Sequence, residues 1–303
     1  MVFPMDILCI TGWFPYPPDN GARSRLYHLL RELGSRHRLD LLSFVRLGEE
    51  KPDARAFGGP CRLLGVVPFQ MSRPSSLRAL LGFLSPRPRS LLNTYSATMD
   101  ALVHRALERR HYDLVLASEI GPGIYTSRYV RDVRSVPRVM EDLELSMIWA
   151  EVQAQPTALG RWRHRLTWWK QRRYIRDLLR RMDGCTVVSQ RERQMVLDVI
   201  PDYCPLGVVP NGVELARYRG DFGSVEPDTL IFPGALTYKA NFDAMRFFLS
   251  KVFPRIRAAR PGVVLRITGR TEGVDLHRLL LDDGVVLTGY LNDVRPAVAR
   301  STV

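Results

Sequence analysis

The chain has 303 residues, with 44 Lys and Arg against 31 Asp and Glu, a formal net charge of +13 and a pI near 10.0. At 46% hydrophobic and 25% charged residues it reads as a globular protein long enough for two domains, which excludes a disordered or fibrous chain. No run reaches the ~18 apolar residues of a membrane span. The surplus positive charge points to anionic company: phosphorylated small molecules, an anionic membrane face or nucleic acid, unless it serves solubility alone.

Cys9, Cys61, Cys185 and Cys204 form no CxxC pair and have no accompanying His cluster, so neither a zinc site nor a disulfide framework is expected. The N-terminus MVFPMDILCI carries Asp6 and lacks a basic leader, so it is not read as a signal peptide. The expectation is a reducing, cytoplasmic location, with peripheral attachment to the inner face of the cytoplasmic membrane compatible with the charge.

In chain order, MDILCIT (5–11) reads as a short strand and RSRLYHLLRELGSR (23–36) as a helix with Leu26, Leu29, Leu30 and Leu33 at helical spacing. Residues 38–45 and 61–69 read as strands, and 72–90 as an irregular Pro- and Arg-rich segment around a short helix. A helix (98–110), strands (112–118 and 136–142), a long basic helix (about 160–182), a strand (185–190) and a helix (191–200) follow. A strand at 206–215 runs into a turn. The polar stretch ARYRGDFGSVEP (216–227) reads as a linker. A second series then begins, with strands at 228–236, 262–270 and 284–290, helices at 242–261, 274–283 and 292–301, and STV as the start of another strand. Strands alternating with helices argue for parallel sheets covered on both faces.

Several motifs stand in a telling order. They are Pro17-Pro18-Asp19-Asn20-Gly21-Ala22 after the first strand, Val187-Val188-Ser189 with Glu192, Pro210-Asn211-Gly212-Val213-Glu214, and Gly234 to Lys239 followed by Asn241-Phe242-Asp243-Ala244. Ile267-Thr268-Gly269-Arg270 and Gly289-Tyr290-Leu291-Asn292-Asp293-Val294-Arg295-Pro296 come later. None is diagnostic alone, but their order and spacing resemble the family-4-like sugar transferases of the GT-B fold.

That resemblance implies an α/β protein of two Rossmann-like domains. Residues 1–215 would form the acceptor side, 216–227 the linker and 228–303 an incomplete donor-binding domain. It implies transfer of a sugar from a nucleotide-sugar donor to a glycan or lipid-linked acceptor, with retention, in polysaccharide or glycolipid biosynthesis. Neither a cofactor nor a metal is implied. In the family pattern the next segment carries a glycine-rich phosphate loop and two acidic residues eight apart. The sequence stops before it, so a C-terminally truncated chain is expected. The alternatives are a nucleotide-sugar epimerase of the same fold and a non-catalytic sugar- or membrane-binding remnant.

The residues themselves carry a physical reading. FPYPPDNGARSR (14–25) lies at the carboxyl end of a parallel strand, where α/β sheets bind ligands. Gly21 frees the backbone to approach a ligand, the helix start offers N–H groups to an anion, and Arg23 and Arg25 add charge, with Asn20 on the acceptor side. The competing reading is an ordinary Pro-rich connection. The family's second glycine is Ala22 here, which narrows the approach.

On the donor side, Lys239 is expected to neutralise the leaving diphosphate, beside Gly234 and Arg270, with Tyr290 near the nucleobase. The competing reading of Lys239 is a surface residue before a helix. Glu119 and Glu141 each follow a first-domain strand and are read as orienting an acceptor hydroxyl, Glu119 being the catalytic candidate. No protein nucleophile is assigned.

In RWRHRLTWWKQRRYIRDLLRR (161–181), Trp168, Ile175, Leu179 and Met182 form one stripe, assigned to the core. Trp162, Leu166 and Trp169, continued by Arg173 and Arg180, form a second. It suits an anionic membrane surface or else packs on the neighbouring domain. Without a nucleic-acid motif, nucleic acid is not expected as a partner.

Overall fold

A computed structural model describes residues 3–46, 59, 61–69, 85, 88, 95–127, 136–146, 149 and 157–303. The segment 72–90, read above as irregular, lies outside the described residues apart from two isolated positions. The chain divides into two compact units, Met1–Gly212 and Val213–Val303.

The first unit is built on seven parallel strands: β1 (Asp6–Thr11), β2 (Arg38–Arg46), β3 (Arg62–Phe69), β4 (Leu114–Ser118), β5 (Arg138–Glu141), β6 (Gly184–Val187) and β7 (Leu206–Val208). Their order is β3-β2-β1-β4-β5-β6-β7. Helices α1 (Gly21–Gly34), α2 (Ala97–Arg109), α3 (Ile120–Ser127), α4 (Ala158–Leu179) and α5 (Gln190–Val199) connect them. Alternation along β1 shows why its apolar run is continuous. Ile7 and Cys9 pack with Leu30 of α1 on one face, while Leu8 and Ile10 pack with Met99 and Val103 of α2 on the other. A strand covered on both faces needs apolar residues at every position.

The helix starts follow local chemistry. Asn20, Ser96, Thr157 and Ser189 each accept a backbone N–H from the first turn of α1, α2, α4 and α5. On α4 the two stripes separate as expected: Ile175 and Leu179 are fully buried and Met182 nearly so, whereas Trp162, Leu166 and Trp169 are exposed. Trp168 is half-buried, its ring 5.2 Å from that of Trp149.

The second unit holds three parallel strands, β8 (Thr229–Pro233), β9 (Val264–Thr268) and β10 (Val285–Gly289), in the order β10-β9-β8. Its core includes Met245, Leu249, Phe253, Leu265 and Ile267. The single helix expected over 242–261 is α6 (Lys239–Phe247) joined through a π turn, Phe248–Val252, to α7 (Phe253–Ala259). Pro254, in the first turn of α7, has no N–H to give to the preceding turn, and the backbone widens just before it. The helix expected at 274–283 reduces to one 3-10 turn, Leu276–Arg278. Leu279 is buried, but Leu280 and Leu281 face solvent, so the apolar triplet has one residue to anchor rather than a face. A short helix α8 (Arg295–Ala299) follows β10. Residues 301–303 lie along β8: Thr302 N–H donates to Thr229 O at 2.8 Å and Ile231 N–H to Val303 O at 2.8 Å.

The stretch 216–227, read as a linker, makes contacts within the second unit. Glu226 pairs with Arg266 and Arg300, and Arg295 lies over the Phe222 ring.

Candidate active site

In the first unit the strand order reverses direction between β1 and β4, and such a switch point leaves a crevice at the carboxyl ends of the strands. Three residues there adopt left-handed backbone without being glycine: Glu119 (φ 73°) after β4, and Asp142 (φ 55°) and Glu144 (φ 46°) after β5. Such conformations cost of order 1–3 kcal/mol each and collect at functional sites.

The Glu119 carboxyl lies directly against Gly12, the residue after β1; a Cβ on residue 12 would stand 2.3 Å from Glu119 Oε2. Burial, then the carboxylates of Glu144, Asp142 and Glu141, push Glu119 up to about 8, against the pull of Arg46. Burial, then Glu141 and Glu144, push Asp142 up to about 7, with Arg25 opposing. Glu144 is raised as well, by burial, Glu192 and Glu141. Burial and the neighbouring carboxylates thus favour the protonated form of Glu119, in which it can donate a hydrogen bond.

Glu141 is engaged inside the unit. It is buried, accepts Ser118 Oγ–H at 2.6 Å on Oε2 and Arg25 Nε–H at 2.7 Å on Oε1. Arg25 also donates to Asn211 Oδ1 at 3.0 Å, tying the α1 loop to the PNG turn after β7. Arg23 pairs with Asp19 at 3.1 Å and lies over the Trp13 ring. Arg25 thus ties α1 to the ends of β5 and β7, Arg23 ties it to the loop that precedes it, and Asn20 caps it. Gly21 opens that helix with nothing within 4 Å of where its Cβ would lie, so no contact within the protein demands a glycine there. Glu192, expected from the VVS…E pattern, is buried and accepts the backbone N–H groups of Leu145 and Ser146, each at 2.9 Å. It holds the loop that carries Asp142 and Glu144.

Sequence reasoning passed over Gly12, Trp13 and Arg46. The signal for Gly12 and Trp13 was the Gly-Trp that directly follows the first strand; Arg46, at the end of β2, carried none. Arg46 lies 3.9 Å from the centre of the Trp13 ring.

In the second unit the expected donor-side residues gather at the carboxyl ends of β8, β9 and β10. Gly269 has φ 103°, and a Cβ on it would meet Ala235 backbone atoms at 2.7 Å, so the loops after β8 and β9 touch directly. Gly234 is equally close-packed: a Cβ there would stand 2.8 Å from Asn241 Nδ2. Asn241 does not cap α6; its amide donates to Ala235 O at 3.0 Å and pins the Gly234 loop. Lys239 is the first residue of α6 and is exposed. Arg270 lies over the Tyr290 ring at 5.4 Å, and Gly269 N–H donates to Gly289 O at 2.8 Å. The structure thus brings together Gly234, Lys239, Arg270 and Tyr290 on this unit, and Asn20, Arg23, Arg25, Glu119 and Glu141 on the first. Among the described residues, no group of three or more His, Cys, Asp or Glu could hold a metal ion, and no helix is long and apolar enough to cross a membrane.

Residues 19–217 match the family described as Glycosyltransferase Family 4. The chain belongs to that family. Residues 227–303 match Glycosyl transferases group 1. No curated protein matches the chain. Among solved structures, HepE of Anabaena in complex with UDP and glucose is similar at TM-score 0.57 and 16% identity, over 98% of this chain and 72% of that one. TarM is similar at TM-score 0.57 and 9% identity, over 98% and 79%. Sucrose-phosphate synthase from Thermosynechococcus elongatus follows at 0.55 and 13%, over 97% and 72%. At these identities the likeness is one of fold, and that fold is GT-B. The family-4 protein is therefore a glycosyltransferase with two α/β units.

Proposed function

We propose that this glycosyltransferase moves a sugar from a nucleotide-sugar donor to a glycan or lipid-linked acceptor, with retention of configuration, in polysaccharide or glycolipid assembly at a membrane face. The observation that carries the reading is the close contact of the Gly234 and Gly269 loops beside Lys239 and Arg270. Two loops held that tightly present backbone and cation to a diphosphate. HepE, which shares the fold, is in complex with UDP and glucose, and this supports a nucleoside diphosphate as part of the donor.

Cleaving a glycosyl phosphate leaves negative charge on the diphosphate, and a fixed cation stabilises that charge more in the transition state than in the ground state. Lys239 and Arg270 supply it, and Tyr290 lies at the nucleobase end. On the acceptor side Glu119, its carboxyl raised toward neutral pH by burial and its acidic neighbours, hydrogen-bonds the incoming hydroxyl and orients it. Arg25 and Glu141 hold the loops in register. No cofactor is invoked, since the nucleotide sugar is itself a substrate.

The membrane part of the reading rests on α4. Its outward Trp162, Leu166 and Trp169, with the exposed Arg161, Arg165 and Arg173 around them, present aromatic anchors in a basic field.

The deciding experiment incubates the protein with a panel of nucleotide sugars and extracted membrane lipid. Acceptor-dependent release of nucleoside diphosphate, with the product's anomeric configuration read by NMR, is the expected result. An epimerised nucleotide sugar, or an inverted product, would overturn the reading.

A further inference from the structure

Beside Glu119 a cavity of about 250 Å3 opens at the carboxyl edge of the first sheet, lined by Trp13, Phe44, Arg46, Phe69, Tyr95 and Tyr125. Four of its rings form a continuous run. Phe69 meets Phe44 edge-on with centroids 5.8 Å apart, Phe44 meets Tyr125 at 5.9 Å, and Tyr125 stacks on Tyr95 at 5.6 Å. The rings are set in place: Phe44 and Tyr125 are buried, and the Tyr125 hydroxyl accepts the Ser96 N–H at 2.9 Å. Glu119 and Arg46 line the same space.

We infer that this cavity receives one uncharged pyranose ring of the acceptor, an inference that rests on the transferase reading above. Size sets the first limit. Pockets that enclose a drug-sized ligand run from about 300 Å3 upward, so this volume suits a single ring and not a chain of them. Chemistry sets the second. A pyranose carries C–H groups on its faces and hydroxyls around its edge, so one face lies on the aromatic run while an edge hydroxyl meets Glu119. A wholly apolar aglycone would offer the Glu119 carboxyl no hydroxyl in place of the water it displaces, which is costly. A uronate would set its carboxylate beside Glu119, near the Glu144, Asp142 and Glu141 carboxylates that already disfavour charge there, with Arg46 opposing. A protonated amine would face Arg46.

Saturation-transfer NMR on the full chain tests this with neutral methyl hexopyranosides, a methyl uronide and phenol as probes. Neutral glycosides are expected to bind in the millimolar range and to weaken at least tenfold in Tyr95→Ala and in Glu119→Leu. Circular dichroism confirms that each variant is folded. Tighter binding of the uronide or of phenol, or affinity unchanged in both variants, overturns the inference. Nucleoside diphosphate titrated in parallel reads the donor side separately. Nucleotide bound with every glycoside silent overturns the pocket alone; neither bound overturns the pocket and the transferase reading together.

Discussion

Glu119 and Gly12 are in contact across the switch point between β4 and β1, with the carboxyl occupying the space that a side chain on residue 12 would fill. Gly12→Ala should therefore displace Glu119 without unfolding the sheet. Misplacing a reacting group by about 1 Å can cost on the order of a hundredfold in rate, while overpacking costs about 1–3 kcal/mol. The expected outcome is a fall in kcat/KM of about two orders of magnitude in a protein that still melts cooperatively. Steady-state kinetics and a thermal melt on the same sample check it.

Glu119 and Asp142 also make stability depend on pH in a defined direction. Both are raised in the folded protein, to about 8 and about 7, so between the ordinary carboxylate range and those values the folded state binds more protons than the unfolded state. Their contribution is fully present below the unfolded values and is lost as pH rises through the folded ones, with a slope of up to about 1.4 kcal/mol per pH unit for each proton. Denaturant melts from pH 5 to pH 9 should show stability falling with pH. Glu119→Gln, neutral throughout, should flatten the decline; an unchanged slope in that variant refutes the assignment.

Buried pairing makes Arg25 a structural residue as much as a functional one. Both Arg25 and Glu141 side chains are nearly inaccessible, and removing the guanidinium strands Glu141 and brings Asp142 a step closer to isolation. Breaking such a pair costs about 3–5 kcal/mol. Arg25→Met should lose that much in chemical denaturation, and Arg25→Met with Glu141→Gln should regain part of it.

Lys239 is the opposite case. It is exposed at the start of α6, so Lys239→Ala should leave stability within about 0.5 kcal/mol. If it stabilises the leaving diphosphate, kcat should fall by about 10²–10³. Wild-type turnover in a folded Lys239→Ala protein would remove it from the donor site.

The exposed face of α4 predicts vesicle binding. Sedimentation with vesicles rich in anionic lipid should retain the wild-type protein, and Trp162→Ser with Trp169→Ser should release it. Neutral vesicles should retain little of either. Equal retention on neutral vesicles would mean that the basic residues play no part.

What the sequence made legible and what it hid follow from the range of the forces involved. The continuous apolar run of β1 and the two stripes of α4 are local periodicities, and both appear in the structure, except that Trp168 of the core stripe is only half-buried. The helix at 274–283 failed because periodicity does not say whether a core is there to receive it, and Leu280 finds none. Glu192 stood in the sequence only as the acidic member of the Val187-Val188-Ser189 motif. Ser189 does cap α5, but the Glu192 carboxylate spans to Leu145 and Ser146, a choice made by the β5 loop and not by its own helix. Gly12 was overlooked because its reason for being glycine is a contact with residue 119. No window on the sequence contains both.

The left-handed backbone at Glu119, Asp142 and Glu144 also divides the rim of the first sheet by how freely it can diversify. At those three positions a β-branched replacement would carry a conformational penalty whatever its side chain offered a ligand. Phe69 and Tyr95 lie outside this set of strained positions. If the cavity holds the acceptor, a library aimed at changing which acceptor is taken would find its tolerated substitutions at Phe69 and Tyr95, leaving the buried Phe44 and Tyr125 and the acidic corner unchanged, so that related enzymes could diverge in appetite while keeping one scaffold for chemistry.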